Sequence, residues 1–182
     1  MAERLVAAAD AYDSWGGKIG GGIVAGVLAA ILMMGFMMAY SSAIGEGLTM
    51  PLKALGALVF GIEALVAGTV ALAAGAGIQL GFSIVLGILF GLAMSRRTSL
   101  VLALLWGILV GIATWVAMEL YVLPVMDPTM AARVALMPMA YFVSHVLLGI
   151  GIGMTPLFIR AFTRRPGRPT RRIEHPPEPL PI

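Results

Sequence analysis

The chain has 182 residues, of which 60% are hydrophobic and only 12% are charged, and its formal net charge is +3. Soluble domains contain about 25% charged residues, so a soluble fold of this length could not cover so much apolar surface, and the composition predicts an integral membrane protein. The chain contains no cysteine, which excludes disulfides and thiolate metal sites.

The N-terminal segment, residues 1–17, begins with MAERLVAAADAYDSW. Its acidic residues, and the absence of a basic region before an apolar core, predict that it is not a cleaved signal peptide. As a helix, Ala2–Trp15 would group four apolar residues on one side, namely Leu5, Val6, Ala9 and Tyr12. This pattern predicts a short amphipathic helix on the cytoplasmic membrane surface, followed by a transmembrane domain over residues 18–160.

Four apolar stretches are long enough to cross a bilayer as helices: Ile19–Ile44, Ala76–Met94, Ser99–Leu123 and Val134–Ile159. A fifth stretch, Leu52–Ala74, carries Lys53 and Glu63 and leaves few residues for a hairpin into the next span. We therefore expect an interfacial or partly inserted helix there, although hydropathy alone also allows a fifth span. The predicted fold is an all-α bundle of four transmembrane helices plus this helix, with five transmembrane helices as the alternative.

The basic residues predict an orientation. In the four-span arrangement ten Lys and Arg side chains share one side of the membrane, and only Lys53 and Arg133 lie on the other. Because Lys and Arg mark the cytoplasmic side, both termini are predicted to be cytoplasmic in a bacterial inner membrane. The tail, residues 161–182, is basic and then proline-rich, which favours anionic headgroups and an extended conformation that a partner protein could hold.

Each predicted span contains one Gly-Ile-x-x-Gly unit: GIVAG, GILFG, GILVG and GIGIG in chain order. All four units fall in the cytoplasmic half of the bilayer when there are four spans. Small residues four positions apart let helix backbones approach closely. The pattern predicts one layer of tight helix contacts, formed by Gly22, Gly26, Gly87, Gly91, Gly107, Gly111, Gly149 and Gly153. The alternative is that glycine is simply frequent in membrane helices.

Polar residues from three spans gather in the outer half of the bilayer: Gln79, Ser83, Glu119, Tyr141 and His145. Ionisable side chains inside a membrane are costly, which makes them candidates for a functional site. The alternative is that these side chains hold the helices together through ordinary hydrogen bonds.

Methionines lie toward the same half, beginning with the run MMGFMM in the first span. Thioethers suit Cu(I), and Met-x-x-x-Met resembles the ligand spacing of Ctr-type copper transporters. The candidate ligands of a soft metal are Met34, Met38, Glu119 and His145. Methionine also fills irregular gaps between helices, so no metal and no other cofactor is predicted, while bound lipids are expected.

The chain contains no nucleotide-binding loop, no His-Glu-x-x-His and no Gly-x-Ser-x-Gly, so an enzyme is not predicted. The expected partners are the lipid bilayer and other integral membrane proteins, which would contact the transmembrane faces and the C-terminal tail; nucleic acid is not expected.

Most of Gly20–Gly153 resembles small bacterial inner-membrane proteins of the YagU-like kind. The resemblance is carried by GGGIVAGVLAAILM, GAGIQLGFSIVLGILFGL, WGILVGIATWVAMELYVLP and VSHVLLGIGIG. It implies a compact helical membrane fold and no established activity. Proteins of this kind often have a histidine at the position of Gln79, where this chain departs from them.

Two functions follow as hypotheses from these patterns. The first is a non-catalytic accessory subunit that packs within a larger membrane protein complex. The second is a small transporter or channel that uses the outer polar cluster, with a soft metal ion such as Cu(I) as one candidate substrate.

Overall fold

The computed structural model describes residues 2–66, 68–94 and 98–163, and it describes only the backbone of residues 2–14, 129 and 163. The C-terminal tail from residue 164 onward, Arg96 and Arg97 lie outside the described residues, as do the side chains of the predicted amphipathic segment. Within the described part the secondary structure consists of helices joined by short turns, with no strand. The eight α-helices are α1 (Ala2–Ala43), α2 (Met50–Phe60), α3 (Thr69–Ala93), α4 (Leu100–Ala117), α5 (Leu123–Met126), α6 (Pro128–Leu136), α7 (Pro138–Gly153) and α8 (Thr155–Thr163).

Four helical segments are long and apolar enough to cross a membrane, which confirms the all-α membrane bundle. Span one is Trp15–Ala43, span two is Thr69–Ala93, span three is Leu100–Met126 and span four is Pro138–Phe162. Span three passes from α4 to α5 through the π-turn Met118–Val122. Span four consists of α7 and α8.

The predicted helix over Leu52–Ala74 is wrong in its bounds. α2 ends at Phe60, a short 3₁₀ turn covers Gly61–Leu65, and span two already begins at Thr69. The reason is Gly61, whose φ of 64° stops the helix in a conformation that other residues rarely adopt. α2 has 11 residues, about half the length that crosses a bilayer, so this segment does not supply the alternative fifth span.

The predicted start of span four at Val134 is also wrong. Val134 belongs to the separate short helix α6, and span four begins at Pro138. A residue before proline is pushed out of the helical region, and Met137 indeed has φ −141° and ψ 54°. Span four has a second break between α7 and α8, where Pro156 has no N–H to donate to the Ile152 carbonyl. The hydroxyl of Thr155 donates to that carbonyl instead.

The four spans do not form a closed ring. Span one packs against span two and span four, span four packs against span three, and span two makes a smaller contact with span four, so spans two and three lie on opposite sides of the bundle. Spans two and three are not packed against each other in the described structure. Helix α2 follows span one and packs against the beginning of span two, where a Cβ on Gly56 would lie 2.5 Å from the Ala71 carbonyl oxygen.

The two ends of the bundle carry different groups, and we name them after their basic residues. At the Lys18 end, Lys18 Nζ donates to the Leu92 carbonyl at the end of span two, 3.2 Å away, and the Arg160 guanidinium donates to the Thr98 carbonyl at 2.9 Å. Arg133 and α2 lie at the opposite end, the Arg133 end. All sites described below are placed relative to these two ends.

A candidate ligand-binding cavity between spans two and three

The glycines of spans one and two face each other. A Cβ on Gly22 would lie 2.6 Å from the Gly87 carbonyl oxygen, and one on Gly91 would lie 2.6 Å from the Lys18 carbonyl oxygen. A Cβ on Gly26 would lie 2.6 Å from Ile84 Cα. Real Cβ atoms essentially never approach other atoms within 3.0 Å, so a larger side chain at these positions requires the helices to move apart.

The glycines of spans three and four face each other in the same way. A Cβ on Gly107 would lie 2.8 Å from Gly153 Cα, and one on Gly149 would lie 2.8 Å from Ile108 Cα. A Cβ on Gly111 would press on the His145 carbonyl. The structure therefore brings the eight predicted glycines into two contacts, one between spans one and two and the other between spans three and four.

These contacts end where the polar cluster begins. A Cβ on Gly26 would press on the Ser83 carbonyl, and Ser83 lies one helical turn from Gln79. Gly111 approaches the backbone of His145 and is itself one turn from Trp115. The close backbone approach at each glycine therefore fixes which polar side chains of the neighbouring spans meet in the half of the bundle toward the Arg133 end.

A cavity of about 250 Å³ lies in that half. All four spans contribute to its walls, and α2 and α6 close it toward the Arg133 end through Pro51, Leu55 and Met130. Four of the five residues of the predicted polar cluster line it: Gln79, Glu119, Tyr141 and His145. The fifth, Ser83, is buried beside it and accepts a hydrogen bond from Gln79.

Gln79 is buried, and its side-chain amide nitrogen already donates hydrogen bonds. Its Nε2 donates to Ser83 Oγ at 3.2 Å and to Met33 Sδ at 3.3 Å. Its position on span two, next to the methionines of span one, follows from the close packing of these spans at Gly26. Gln79 therefore ties the two spans together at the wall of the cavity.

His145 presents one unoccupied ring nitrogen. Its Nδ1 lies 2.8 Å from the Tyr141 carbonyl oxygen. A carbonyl oxygen only accepts, so the proton is on Nδ1 and Nε2 carries the lone pair. Nε2 has no hydrogen-bond partner among the described residues. His145 thus offers an acceptor, or a metal ligand, at the cavity wall.

Trp115 and Glu119 line the opposite wall, on span three. The Trp115 ring is held edge-on against Phe142 at a centroid distance of 5.2 Å, while its Nε1 is buried and has no hydrogen-bond partner in the part of the chain that the structure describes. Glu119 is half-buried and lies in the π-turn Met118–Val122. Pro124 lacks an N–H for the helical ladder, and π-turns of this kind are frequent at functional sites.

The methionines surround the same space. Six of them line the cavity: Met33, Met34, Met37, Met118, Met126 and Met130. The candidate ligand Met38 does not; it is half-buried beside Met37, which is the residue that faces inward. Three of the four candidate metal ligands, Met34, Glu119 and His145, are therefore brought together, and Met38 is not.

Sequence analysis did not predict the buried ionic cluster at the Arg133 end. Arg133 forms an ion pair with Glu46, donates from Nε to the Tyr141 hydroxyl at 3.0 Å and donates to Ser41 Oγ at 3.1 Å. Asp127 is buried nearby and caps α6 by accepting from the Met130 N–H at 2.9 Å. The one local signal was Asp127-Pro128, since aspartate followed by proline is typical of a helix start.

The chemistry of this arrangement is that of a binding site. Its walls are mostly apolar, an acceptor stands unused at His145, and Glu119 adds a carboxyl group. A cavity of this kind, with few convergent polar groups, is the usual form of a small-molecule site. Among the described residues no three His, Asp or Glu side chains come together as a metal site, so a metal here would depend on the thioethers.

Comparison of the chain with protein-family models, with curated proteins and with solved structures gives no match. The resemblance to YagU-like proteins stays a prediction.

Proposed function

We propose that this protein is a membrane-embedded binding protein, which takes a small apolar molecule from the bilayer into the cavity between spans two and three. The observation that carries the proposal is the cavity itself, whose apolar walls are interrupted by a few convergent polar side chains. The proposed function differs from both functions that the sequence suggests, an accessory subunit and a small transporter or channel, but like the transporter or channel it uses the polar cluster.

The bilayer is the proposed source of the ligand. Spans two and three flank the cavity and are not packed against each other, and the lining residues Phe82 and Met126 are exposed on the surface of the described bundle. A molecule dissolved in the membrane can therefore reach the cavity from the side. On the side of the Lys18 end, the glycine contacts pack the helices tightly, which favours binding over an open channel.

A cavity-filling substitution tests the proposal. Val122 lines the cavity and is half-buried, whereas Val125, three residues later, is 81% exposed and does not line it. We expect Val122→Phe to weaken binding of naphthalene probes at least tenfold, and Val125→Phe to leave it unchanged. Binding is measured on purified protein in nanodiscs, with empty nanodiscs as the background for partition into lipid.

Equal binding by the parent and by Val122→Phe would contradict the proposal.

Elemental analysis of the same preparations tests the alternative that the cavity binds a soft metal ion. Near-stoichiometric copper in the parent that is lost in Met34→Leu would assign the cavity to Cu(I), since thioethers select this ion.

The accessory-subunit hypothesis keeps one observation in its favour. Span three packs against span four alone among the spans, and only 17% of its most apolar window is buried within the chain. Its exposed face carries large side chains such as Leu105, Trp106 and Leu109, which suit either lipid or another membrane protein. Co-purification with a larger complex at fixed stoichiometry in mild detergent would support this role, and purification as a single species would contradict it.

A further inference from the structure

We infer that the ligand is a lipophilic organic cation, whose apolar body lies among the methionines and aromatic rings of the cavity and whose positive charge is balanced by the Glu119 carboxylate. The inference rests on the proposed function, because it adds a positive charge to the apolar molecule that the cavity binds. It follows from the position of Glu119, the charges around the cavity and the nature of its walls.

Glu119 lies well inside span three. The span covers Leu100–Met126, so its midpoint is Ala113, and Glu119 follows six residues later, which is about 9 Å along a helix. For a span centred on the bilayer, the hydrocarbon core extends about 15 Å from that midpoint. Glu119 therefore belongs to the hydrocarbon region, where an ionisable side chain is costly and marks a functional site with a specific partner.

The chain itself supplies no partner for this carboxyl group among the described residues. Glu119 forms neither an ion pair nor a hydrogen bond with them, although it is half-buried and lines the cavity. A charge taken out of water without a counter-charge or a hydrogen bond costs free energy. A ligand that brings a positive charge into the cavity removes this cost, whereas an anion would be repelled.

The other groups around the cavity do not neutralise Glu119. No Lys or Arg is among the described residues that line it. Arg133 donates to the Tyr141 hydroxyl at 3.0 Å, but it does not line the cavity and is paired with Glu46. His145 adds the lone pair of Nε2, since its Nδ1 donates to the Tyr141 carbonyl. The cavity therefore presents a negative charge and an unused acceptor, and both attract a cation.

The walls favour an organic cation over an inorganic ion. A hard cation such as Ca²⁺ needs about six to eight oxygen ligands, whereas this lining includes six thioethers and the rings of Phe82, Trp115 and Tyr141. Aromatic rings attract cations, and quaternary ammonium groups in particular. Methionine side chains adapt to apolar bodies of different shape. The same walls can therefore hold both the charged group and the apolar body of an organic cation.

The size of the cavity admits a fused ring. Apolar protein cavities of about 150 Å³ bind benzene, and the present cavity measures about 250 Å³. An organic cation built on a bicyclic ring is therefore of suitable size. Its apolar body also lets it dissolve in the bilayer, which is the proposed source of the ligand.

Three probes that share a naphthalene ring and differ in charge test the inference. They are the cation trimethyl(2-naphthylmethyl)ammonium, its neutral isostere 2-neopentylnaphthalene and the anion 2-naphthylmethanesulfonate. Each probe is titrated onto the full chain in nanodiscs of zwitterionic phosphatidylcholine, because anionic lipids would attract the cation by themselves, and empty nanodiscs give the background. We expect the cation to bind about tenfold more tightly than the isostere, and the anion to bind weakest.

Two variants that remove the same formal charge assign this preference to Glu119. Glu119→Gln keeps the size of the side chain and removes its charge, so the cation should lose its advantage while the affinity for the isostere stays the same. Glu63→Gln is the matched control, because Glu63 is exposed and does not line this cavity, and it should keep the advantage. Glu119→Asp retains the carboxylate and should keep most of it.

The outcomes separate this inference from the proposed function. Equal affinity of the parent for the cation and the isostere, with both weakened by Val122→Phe, would overturn the inference and leave the binding function standing. Tightest binding of the anion, or a cation advantage that survives in Glu119→Gln, would also overturn the inference. Binding of all three probes that is insensitive to Val122→Phe would overturn both. If Glu119→Gln does not fold, the parent's ranking of the three probes decides the sign of the ligand's charge.

Discussion

Arg133 is a buried charged residue whose guanidinium is held by three side chains. It is 8% exposed, and its guanidinium contacts Glu46, Ser41 and Tyr141. Removing one partner of a buried ion pair leaves an uncompensated charge, which costs far more than the pair contributes. The contacts tie the loop after span one and helix α6 to span four, above the cavity.

We therefore expect Glu46→Ala to destabilise the protein by about 2 kcal/mol, less than for a fully buried pair because the Glu46 side chain is 31% exposed. Adding Arg133→Met should restore part of this stability, since the unpaired charge is then gone. Thermal unfolding in detergent measures both variants, with Glu63→Ala as the exposed control. A double variant less stable than Glu46→Ala alone would refute this account.

At the scale of residues, the sequence predicted the polar groups of the cavity better than the ionic cluster. Helical periodicity and the positions of the spans were enough to put Gln79, Glu119, Tyr141 and His145 in one half of the bundle. The pair between Glu46 and Arg133 joins the loop after span one to helix α6, two regions that are far apart in the chain. Neither residue lies on a periodic apolar face, so no local pattern could have paired them.

The glycine contacts determine which transmembrane helices pair with each other. Alanine substitutions test this role. A Cβ on Gly107 would lie 2.8 Å from Gly153 Cα, whereas one on Gly81, which is also within a span, would have no atom within 4 Å. We expect Gly107→Ala to lower stability by about 1–3 kcal/mol through overpacking. Gly81→Ala should be neutral or slightly stabilising, because alanine has the better helix propensity.

Thermal unfolding of both alanine variants in the same detergent measures this difference. Equal melting temperatures for Gly107→Ala and Gly81→Ala would show that the glycines are a feature of composition alone. The same pair of variants, assayed with the naphthalene probes, would show whether the contact of spans three and four also shapes the cavity beside His145.

Element bounds were predictable where hydropathy changes and unpredictable where a single residue decides them. The four spans could be placed from their apolar length. The end of α2 depends on the positive φ of Gly61, and the start of span four depends on Pro138, which lies inside an apolar stretch. Hydropathy averages over about 19 residues, so breaks caused by one backbone angle escape it.

The order of the spans was not predictable from the sequence. Similar glycine units occur in all four spans, so the pattern alone allows several pairings. The structure pairs span one with span two and span three with span four, and joins the pairs where a Cβ on Gly151 of span four would lie 2.5 Å from Ala29 Cα of span one. In this arrangement spans two and three lie apart, and the cavity lies between them. No single segment of the sequence predicts this cavity.

The basic residues of the whole chain predict an orientation that is open to a direct test. Lys18 and Arg160 lie at one end of the bundle, Lys53 and Arg133 lie at the other, and the remaining eight Lys and Arg residues fall on the side of the Lys18 end in the four-span arrangement. Basic residues favour the cytoplasmic side. Since the chain has no cysteine, single cysteines can be introduced without a background. Gly16 and Ala161 are exposed near the Lys18 end, and Leu48 and Leu136 are exposed toward the Arg133 end.

We expect a membrane-impermeant maleimide to label Leu48→Cys and Leu136→Cys in intact bacterial cells, and to label Gly16→Cys and Ala161→Cys only after permeabilisation. The physical reason is the positive-inside bias, which predicts that the Lys18 end lies in the cytoplasm and that the cavity lies in the outer half of the bilayer. Labelling of Gly16→Cys and Leu48→Cys from the same side would contradict the four-span topology itself. A clean reversal would keep the fold and move the cavity to the cytoplasmic half, so that its ligand would be drawn from the inner leaflet.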